Sequence, residues 1–147
     1  MKKFSLLVIL FTVCFSCENN GKQPNALENE NPPEKKFEMY EMSEMALLME
    51  QMYVDNERLK ERIKKGDTIG RFPKHFLKIH AAEMTDKQEN DSFFKEQATN
   101  FIKAQVLIYE DPKNAKEHFN SGVDACIKCH EVKCGGPIPR INKLYIE

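Results

Sequence analysis

The sequence predicts an all-α protein, an antiparallel four-helix bundle, and three observations lead to that prediction. Apolar residues recur at intervals of three and four in four successive segments of the 147-residue chain. No segment alternates polar and apolar residues over a useful length, so strands are not indicated. The connections between the segments are short. Short connections favour antiparallel neighbours packed around one core.

The first predicted helix spans residues 37–65, a stretch with neither proline nor glycine. Its apolar residues follow one helical face, with Asn56 filling the one gap in the spacing. Lys64 and Lys65 suit the last turn of a helix, and Gly66 suits the position just after it. The apolar positions are Met42, Met45, Met49, Met52, Leu59 and Ile63.

The second predicted helix is shorter and covers residues 73–84. Pro73 fits the first position of a helix, where a backbone N–H is not needed. Phe76, Ile79 and His80 would then share one face of the segment.

The third and fourth predicted helices follow one another closely. The third begins near residues 91–92 and ends at Glu110. Asp111 and Pro112 then predict the N-cap and first position of the fourth helix, which ends near Lys133. The apolar positions are Phe94, Ala98, Phe101, Ala104 and Ile108 in the third helix, and Ala115, Phe119, Gly122, Cys126 and Cys129 in the fourth.

Residues 1–16 are predicted to be a signal peptide. A short basic start is followed by an apolar run over residues 4–15, which is too short for an ordinary transmembrane helix. Ser16 before Cys17 resembles the lipobox of bacterial lipoproteins, which implies that Cys17 is lipidated. Phe15 departs from the small residue usual at its position. An ordinary signal peptide or an uncleaved anchor is the alternative.

Residues 17–36 are predicted to be a lipidated flexible tether. Their composition is too polar to offset the entropy of ordering the chain. The folded domain is then residues 37–147, with a C-terminal tail expected to wrap on the bundle surface. Export would place the domain in the cell envelope, facing the periplasm and lipid-anchored to the inner or outer membrane, where cysteines can be oxidised or used covalently.

Composition argues against several functions. A formal net charge of −1 argues against a nucleic-acid-binding protein. Charged residues make up 31% of the chain, which is too many for a protein with several membrane spans. The sequence offers no arranged nucleophile and base, no glycine-rich phosphate loop and no paired carboxylates. An enzyme is therefore not predicted.

Cys126, Cys129 and His130 form the C-x-x-C-H pattern that is typical of c-type haem attachment. Two thiols three positions apart lie on one helix face and can add to the two vinyl groups of a porphyrin. The adjacent histidine is then the proximal iron ligand. The sequence therefore predicts one covalent haem c on the C-terminal helix of the bundle.

The motif has three other interpretations. A thioredoxin-like site needs a βαβ context. A disulfide between Cys126 and Cys129 is strained within a helix. A zinc site needs two further ligands, for which the chain offers Cys134 and a distant histidine.

A helical bundle with C-x-x-C-H late in its last helix resembles the class II c-type cytochromes, the cytochrome c′ group, over about residues 40–133. Phe119 lies seven residues before Cys126, where the family often has an aromatic residue, and residues 63–66 are similar to the family's ending of the first helix. Two features depart from the pattern. Cys134 stands where a basic residue is usual, and the tail after it is longer, similar to tails of Bacteroidetes-type haem lipoproteins.

The resemblance implies that the first helix supplies the residue facing the sixth position of the iron. A methionine there gives a low-spin electron carrier, whereas a leucine or aromatic residue leaves the iron open to NO or CO. Residues 63–66 correspond to the family's ending of the first helix. Counting back from them places the residue that faces the sixth position at Met49 if one residue is inserted, and at Glu50 if none is. Met45 and Met52 lie one turn away, and methionines at this spacing also fill cores.

Other residues are candidates for contact with the haem edge. His80 is a candidate partner of a propionate or, more remotely, of the iron; His75 and His118 are weaker candidates. Lys133 and Arg140 are basic groups near the motif that suit a haem propionate.

The predicted function is that of a mono-haem c-type cytochrome, a membrane-tethered one-electron carrier. Its expected partners are redox proteins with a basic patch and the membrane that holds the lipid. The resemblance also implies a homodimer. The alternatives are a five-coordinate haem protein that binds NO or CO, and a haem-free thiol or metal lipoprotein. Cys134 is left over, either as a small buried side chain or as a thiol that pairs between chains.

Overall fold

The computed structural model describes residues 41–147. Every regular element in this range is helical, which confirms the all-α prediction. No helix among these residues is long and apolar enough to cross a membrane. The predicted signal peptide, Cys17 and the tether lie outside the described residues. The α-helices are α1 (Glu44–Lys65), α2 (Ser92–Glu110), α3 (Ala115–Lys133) and α4 (Ile138–Ile141), and 3₁₀ turns cover Lys74–His80, Lys87–Glu89, Pro112–Asn114 and Asn142–Leu144.

Helix α1 begins later than the predicted residue 37 because Ser43 caps it. The backbone of Ser43 is extended, and its hydroxyl accepts a hydrogen bond from the Ala46 amide at 3.2 Å. A capping hydroxyl satisfies one of the amides that a helix start leaves without a partner. The predicted end is confirmed: Gly66 has φ 67°, and its amide donates to the Ile63 carbonyl.

The predicted second helix, residues 73–84, is a seven-residue 3₁₀ segment, Lys74–His80. A 3₁₀ helix has three residues per turn, so positions i and i+3 lie on one face. Phe76 and Ile79 are spaced in this way, and both are buried. His80 falls off that face and is exposed, contrary to the prediction that the three share one face.

The connection between α2 and α3 also differs from the prediction. Pro112 begins a 3₁₀ turn rather than the α-helix itself, which starts at Ala115. Asp111 does not cap the backbone. Its carboxylate instead accepts a hydrogen bond from the Asn114 side chain at 2.8 Å and lies 3.1 Å from the His118 ring nitrogen. The side chain of Asp111 thus contacts Asn114 and His118 at the start of α3.

Helices α2 and α3 pack closely along their length, and small residues allow this approach. A side chain at Gly122 of α3 would place its Cβ 3.4 Å from the Gln105 amide nitrogen and 3.7 Å from the Ala104 methyl group. Both neighbours are buried on α2. These are ordinary van der Waals distances, so α2 and α3 lie in close contact at Gly122.

The core divides into two clusters of buried side chains. The first joins α1, the 3₁₀ segment, α2 and α3; its members are Met45, Leu48, Met52, Phe76, Ile79, Phe94, Ala98, Phe101 and Ala125. The second joins Leu59 of α1 to the end of α2, the first part of α3 and the tail; its members are Leu59, Ile108, Ala115, Phe119, Val123, Ile141, Leu144 and Ile146. Cys126 packs against both clusters.

The C-terminal tail, expected on the bundle surface, contributes to the second cluster. Ile141, Leu144 and Ile146 are all buried. The Asn120 side chain binds the backbone of Ile146 twice, donating to its carbonyl and accepting from its amide, each at 2.9 Å. The tail is therefore packed as part of the hydrophobic core.

We expect Phe119→Ala to lower the free energy of unfolding by about 3–5 kcal/mol, because it leaves a large cavity in a core position with no solvent exposure. Urea unfolding measures this loss. Val132→Ala is the control on the same helix, since Val132 is 65% exposed, and it should change stability little. Equal losses for the two variants would contradict the assignment of Phe119 to the core.

Candidate functional site

The final turns of α3 place Cys126, Cys129 and His130 against the core. All three side chains are partly buried. Cys126 and Cys129 both pack against the first core cluster, as expected for residues three apart on one helical face. The three motif residues also line one common cavity. The structure thus brings together the residues that the motif predicts.

Two small cavities adjoin the motif. One, of about 80 Å³, is bounded by the tail and includes Glu50, Tyr53, Asn56 and Arg140 among its walls. The other, of about 30 Å³, lies on the side of Ile79 and Phe94. Both share the walls contributed by Met49 and Met52 of α1, Phe101 of α2, and Cys126 and His130 of α3. We call the first the outer cavity and the second the inner cavity.

The ring of His130 is oriented by the residue just past the helix end. Its Nδ1 lies 3.1 Å from the backbone carbonyl oxygen of Cys134 and 3.2 Å from the Cys134 sulfur. Donation from Nδ1–H to a carbonyl fixes the tautomer and leaves the lone pair of Nε2 free. Histidines that bind metals almost always make such a bond through their other nitrogen. In that tautomer, Nε2 is the ring nitrogen that would be free to bind a metal.

The two motif thiols are poor nucleophiles in this environment. Burial raises the pKa of Cys126 to about 12, with a further contribution from Cys129. Burial also raises the pKa of Cys129 to about 11, and Cys134 adds to the effect. A thiol with so high a pKa holds its proton near neutral pH, whereas catalytic and redox cysteines have lowered values. The environment is that of two protonated thiols packed in an apolar cleft.

The structure separates the candidate methionines. Met49 and Met52 line both cavities. Met45 is buried in the first core cluster and lines neither. Glu50, the alternative position in the register, is exposed and accepts hydrogen bonds from Arg140 at 2.7 and 2.8 Å. Two methionines of α1 therefore lie near His130.

None of the other three described histidines lines these cavities. His80 is exposed, so the structure does not place it at the motif. The His75 ring nitrogen lies 2.9 Å from an Asp55 carboxylate oxygen. His118 is paired with Asp111.

The two basic candidates have different surroundings. Lys133 forms ion pairs with Asp91 and Glu89 at 2.5 and 2.6 Å and lines neither cavity. Arg140 lines the outer cavity, where its guanidinium stacks 3.8 Å from the centre of the Tyr53 ring. Arg140 is therefore the basic group placed to meet an anion at this site.

Gln97 is a cavity residue that the sequence analysis did not single out. It lines the inner cavity, is 2% exposed, and its amide nitrogen has no hydrogen-bond partner among the described residues. The sequence does contain a signal for this residue, because Gln97 lies three residues after Phe94 and four before Phe101, on the apolar face of α2. A polar residue on such a face indicates either a buried pair or a ligand contact.

The donor set at the motif, two thiols and one imidazole, is the set that covalent haem attachment uses. Within residues 41–147, no group of three or more His, Cys, Asp or Glu side chains is placed to hold an ion. A haem iron takes four ligands from the porphyrin and needs only one or two from the chain. A larger groove, of about 530 Å³, is open and lined by charged residues such as Glu57 and Arg58. It contains none of the motif residues.

Comparisons with protein-family models, curated proteins and solved structures give no match to this chain. Function is therefore inferred from the motif and from the residues around the two cavities.

We expect the stability of the protein to fall as the pH decreases below about 4, in part through Asp91. The hydrogen bond from Lys133 and that from the Phe94 amide hold the pKa of this carboxyl below its ordinary value of 3.8. A lowered pKa contributes stability above the ordinary value, and the contribution is lost as the pH falls through the lowered one. Asp91→Asn keeps a capping oxygen but loses the charge, so its stability should depend less steeply on pH in urea unfolding at acid pH.

Asp86→Asn is the matched control for this experiment. Asp86 also caps a turn, through the Gln88 amide at 2.9 Å, but it forms no ion pair among the described residues. If Asp91→Asn and Asp86→Asn change the pH dependence equally, the ion pair with Lys133 does not stabilise the end of α3.

Proposed function

We propose that this protein is a mono-haem c-type cytochrome that transfers single electrons, held at a membrane surface by a lipid on Cys17. The observation that supports the proposal best is the shared cavity lining: Cys126, Cys129 and His130 of α3 lie across from Met49 and Met52 of α1. Thioether bonds to the two cysteines would attach the haem, and His130 Nε2 would bind the iron. The iron supplies one-electron redox chemistry.

The proposed architecture is that of a class II cytochrome in which the second helix is reduced to a 3₁₀ segment. Helices α1, α2 and α3 and the segment Lys74–His80 would take the places of the four helices. The tail is an addition to that plan, because it supplies one wall of the outer cavity through Pro137, Ile141 and Leu144. The longer tail would thus cover part of the haem in place of a longer helix.

The walls of the two cavities differ in polarity, which suggests how the haem would be oriented. The outer cavity includes Arg140 and Glu50, whereas the inner cavity is mostly apolar. A carboxylate is costly to bury without a partner. The propionates would therefore lie towards the outer cavity. There, the Arg140 guanidinium could form an ion pair with a propionate in place of its present ion pair with Glu50.

Haem attachment would require α1 and α3 to move apart. The cavities of about 80 and 30 Å³ are far below the roughly 300 Å³ at the lower end of small-molecule sites. Flexible Met49 and Met52 side chains can repack at low cost because methionine adapts to irregular spaces. Attachment before the domain closes would also explain how buried, protonated thiols become accessible.

The first test is covalent haem attachment. The full chain, produced in a bacterium that attaches haem to c-type cytochromes, should contain one haem, measured by mass spectrometry and by the pyridine haemochrome assay. Cys126→Ala/Cys129→Ala should abolish attachment, because no thiol is left to form a thioether at this site. Cys134→Ser is the control and should retain the haem. A haem-free wild-type protein would end the proposal in favour of a thiol or metal lipoprotein.

The second test concerns the sixth iron ligand, for which we propose Met49. Met49→Leu should convert a six-coordinate, low-spin haem into a five-coordinate, high-spin haem that binds CO in the ferrous state. Met52→Leu is the matched control and should leave the spin state unchanged. Optical spectra of the oxidised and reduced forms, with and without CO, report both properties.

The same spectra separate the second candidate function from the first. A wild-type ferrous haem that is already high-spin and binds CO would indicate a gas-binding protein rather than an electron carrier. For the electron carrier, the propionates would add negative charge, so the proposed partner is a redox protein that presents a basic patch. The proposed location is the cell envelope, on the periplasmic side of the inner or outer membrane.

A further inference from the structure

Gln97 is the buried polar group whose role the proposed function does not explain. Its side chain is 2% exposed, and its amide nitrogen has no partner among the described residues. Leaving a buried donor unpaired costs about 1–3 kcal/mol, so native proteins seldom retain one without a reason. An acceptor that enters the inner cavity would remove this cost.

Residues 41–147 offer the Gln97 amide no acceptor in the inner cavity. Apart from Gln97 and the motif residues, the walls of this cavity are apolar; they are Met49, Met52, Ile79, Phe94, Ala98, Phe101 and Ala125. Within the motif, His130 directs Nδ1 to Cys134, and its Nε2 is the proposed iron ligand. A group bound in the cavity can supply the missing acceptor.

Bound haem presents two kinds of hydrogen-bond acceptor, namely the propionates and an atom held in the sixth position of the iron. The propionates suit the outer cavity, where Arg140 lies, and an apolar surrounding would penalise their charge. An atom bound to the iron is the acceptor that suits the inner cavity. Hydrogen-bond donors near an iron-bound atom determine how strongly a haem holds it.

We propose that the Gln97 side-chain amide donates a hydrogen bond to a small ligand that takes the sixth position of the haem iron in place of Met49. This inference rests on the proposed function, since it requires haem at Cys126 and Cys129. It adds a residue of α2 to the site and gives the pocket a means to stabilise a small polar ligand such as a diatomic gas. Gln97 would then determine ligand affinity without binding the iron.

The test uses CO as the probe in full-length, haem-loaded protein with the substitutions Met49→Leu and Met52→Leu, which remove both candidate protein ligands. A donor N–H polarises bound CO and lowers its stretching frequency. Adding Gln97→Leu, which is similar in shape but lacks the amide, should move the infrared C–O stretch to higher frequency. The dissociation constant for CO should rise about 2- to 10-fold, as expected for the loss of one hydrogen bond.

Gln105→Leu is the matched control in the same background. Gln105 lies on the same helix and is 1% exposed, but its amide nitrogen donates to the Asn56 side-chain oxygen at 2.8 Å. Its loss should lower thermal stability and leave the C–O stretch unchanged. Gln97→Leu should move the stretch without lowering the thermal stability of the haem-free protein, because it removes an unpaired donor.

Each outcome of the experiment has a separate meaning. Haem content is measured first, and absence of haem overturns the proposed function. With haem present, an unchanged C–O stretch in Gln97→Leu overturns the role of Gln97 alone. Failure of the ferrous haem to bind CO also overturns it, because the sixth position would then lie outside this cavity.

Discussion

Close packing of α2 on α3 is the constraint on which the candidate site depends. Gly122 lies close to Ala104 and Gln105, where a Cβ would make ordinary van der Waals contacts, so α3 cannot withdraw from α2 without losing this packing. The face of α3 that contains Gly122 continues to Cys126 one turn further on. The face of α3 that meets α2 is therefore set by apolar packing, and the same orientation directs the two thiols towards α1.

Among the described residues, the buried side chains of Asn56 and Gln105 are joined by a hydrogen bond, whereas the Gln97 amide nitrogen has no partner. Asn56 donates to the Met52 carbonyl and accepts from Gln105, each at 2.8 Å, so α1 and α2 share a polar contact within the core. Such a pair specifies the register between two helices, because a shift leaves both groups unpaired. Gln97 has no such partner, and it is the one that lies at the cavity beside the motif.

Both ends of the motif region are held by contacts from distant parts of the chain. Lys133 joins the last turn of α3 to the start of α2 through Asp91, which also caps that helix. On the other side, Arg140 joins the tail to Glu50 of α1. Exposed ion pairs contribute little to stability individually. They nevertheless mark the places where α2 and the tail meet the elements around His130.

Local sequence signals determined much of this protein by themselves. The spacing of apolar residues and the position of Gly66 predicted the end of α1 and the approximate positions of α2 and α3, because these features act on the backbone within a few residues. The C-x-x-C-H pattern likewise predicted that two thiols and an imidazole lie together, since all three belong to one helix.

Tertiary structure decided what depends on residues far apart in the chain. The sequence did not determine that the segment after Pro73 is a 3₁₀ turn, that the tail is buried, or that Gln97 faces the inner cavity. It also left three methionines as candidates, and the packing of α1 places Met49 and Met52, but not Met45, at the cavities. Helical periodicity defines a face, but only contacts between helices determine which part of that face meets the core and which part meets the site.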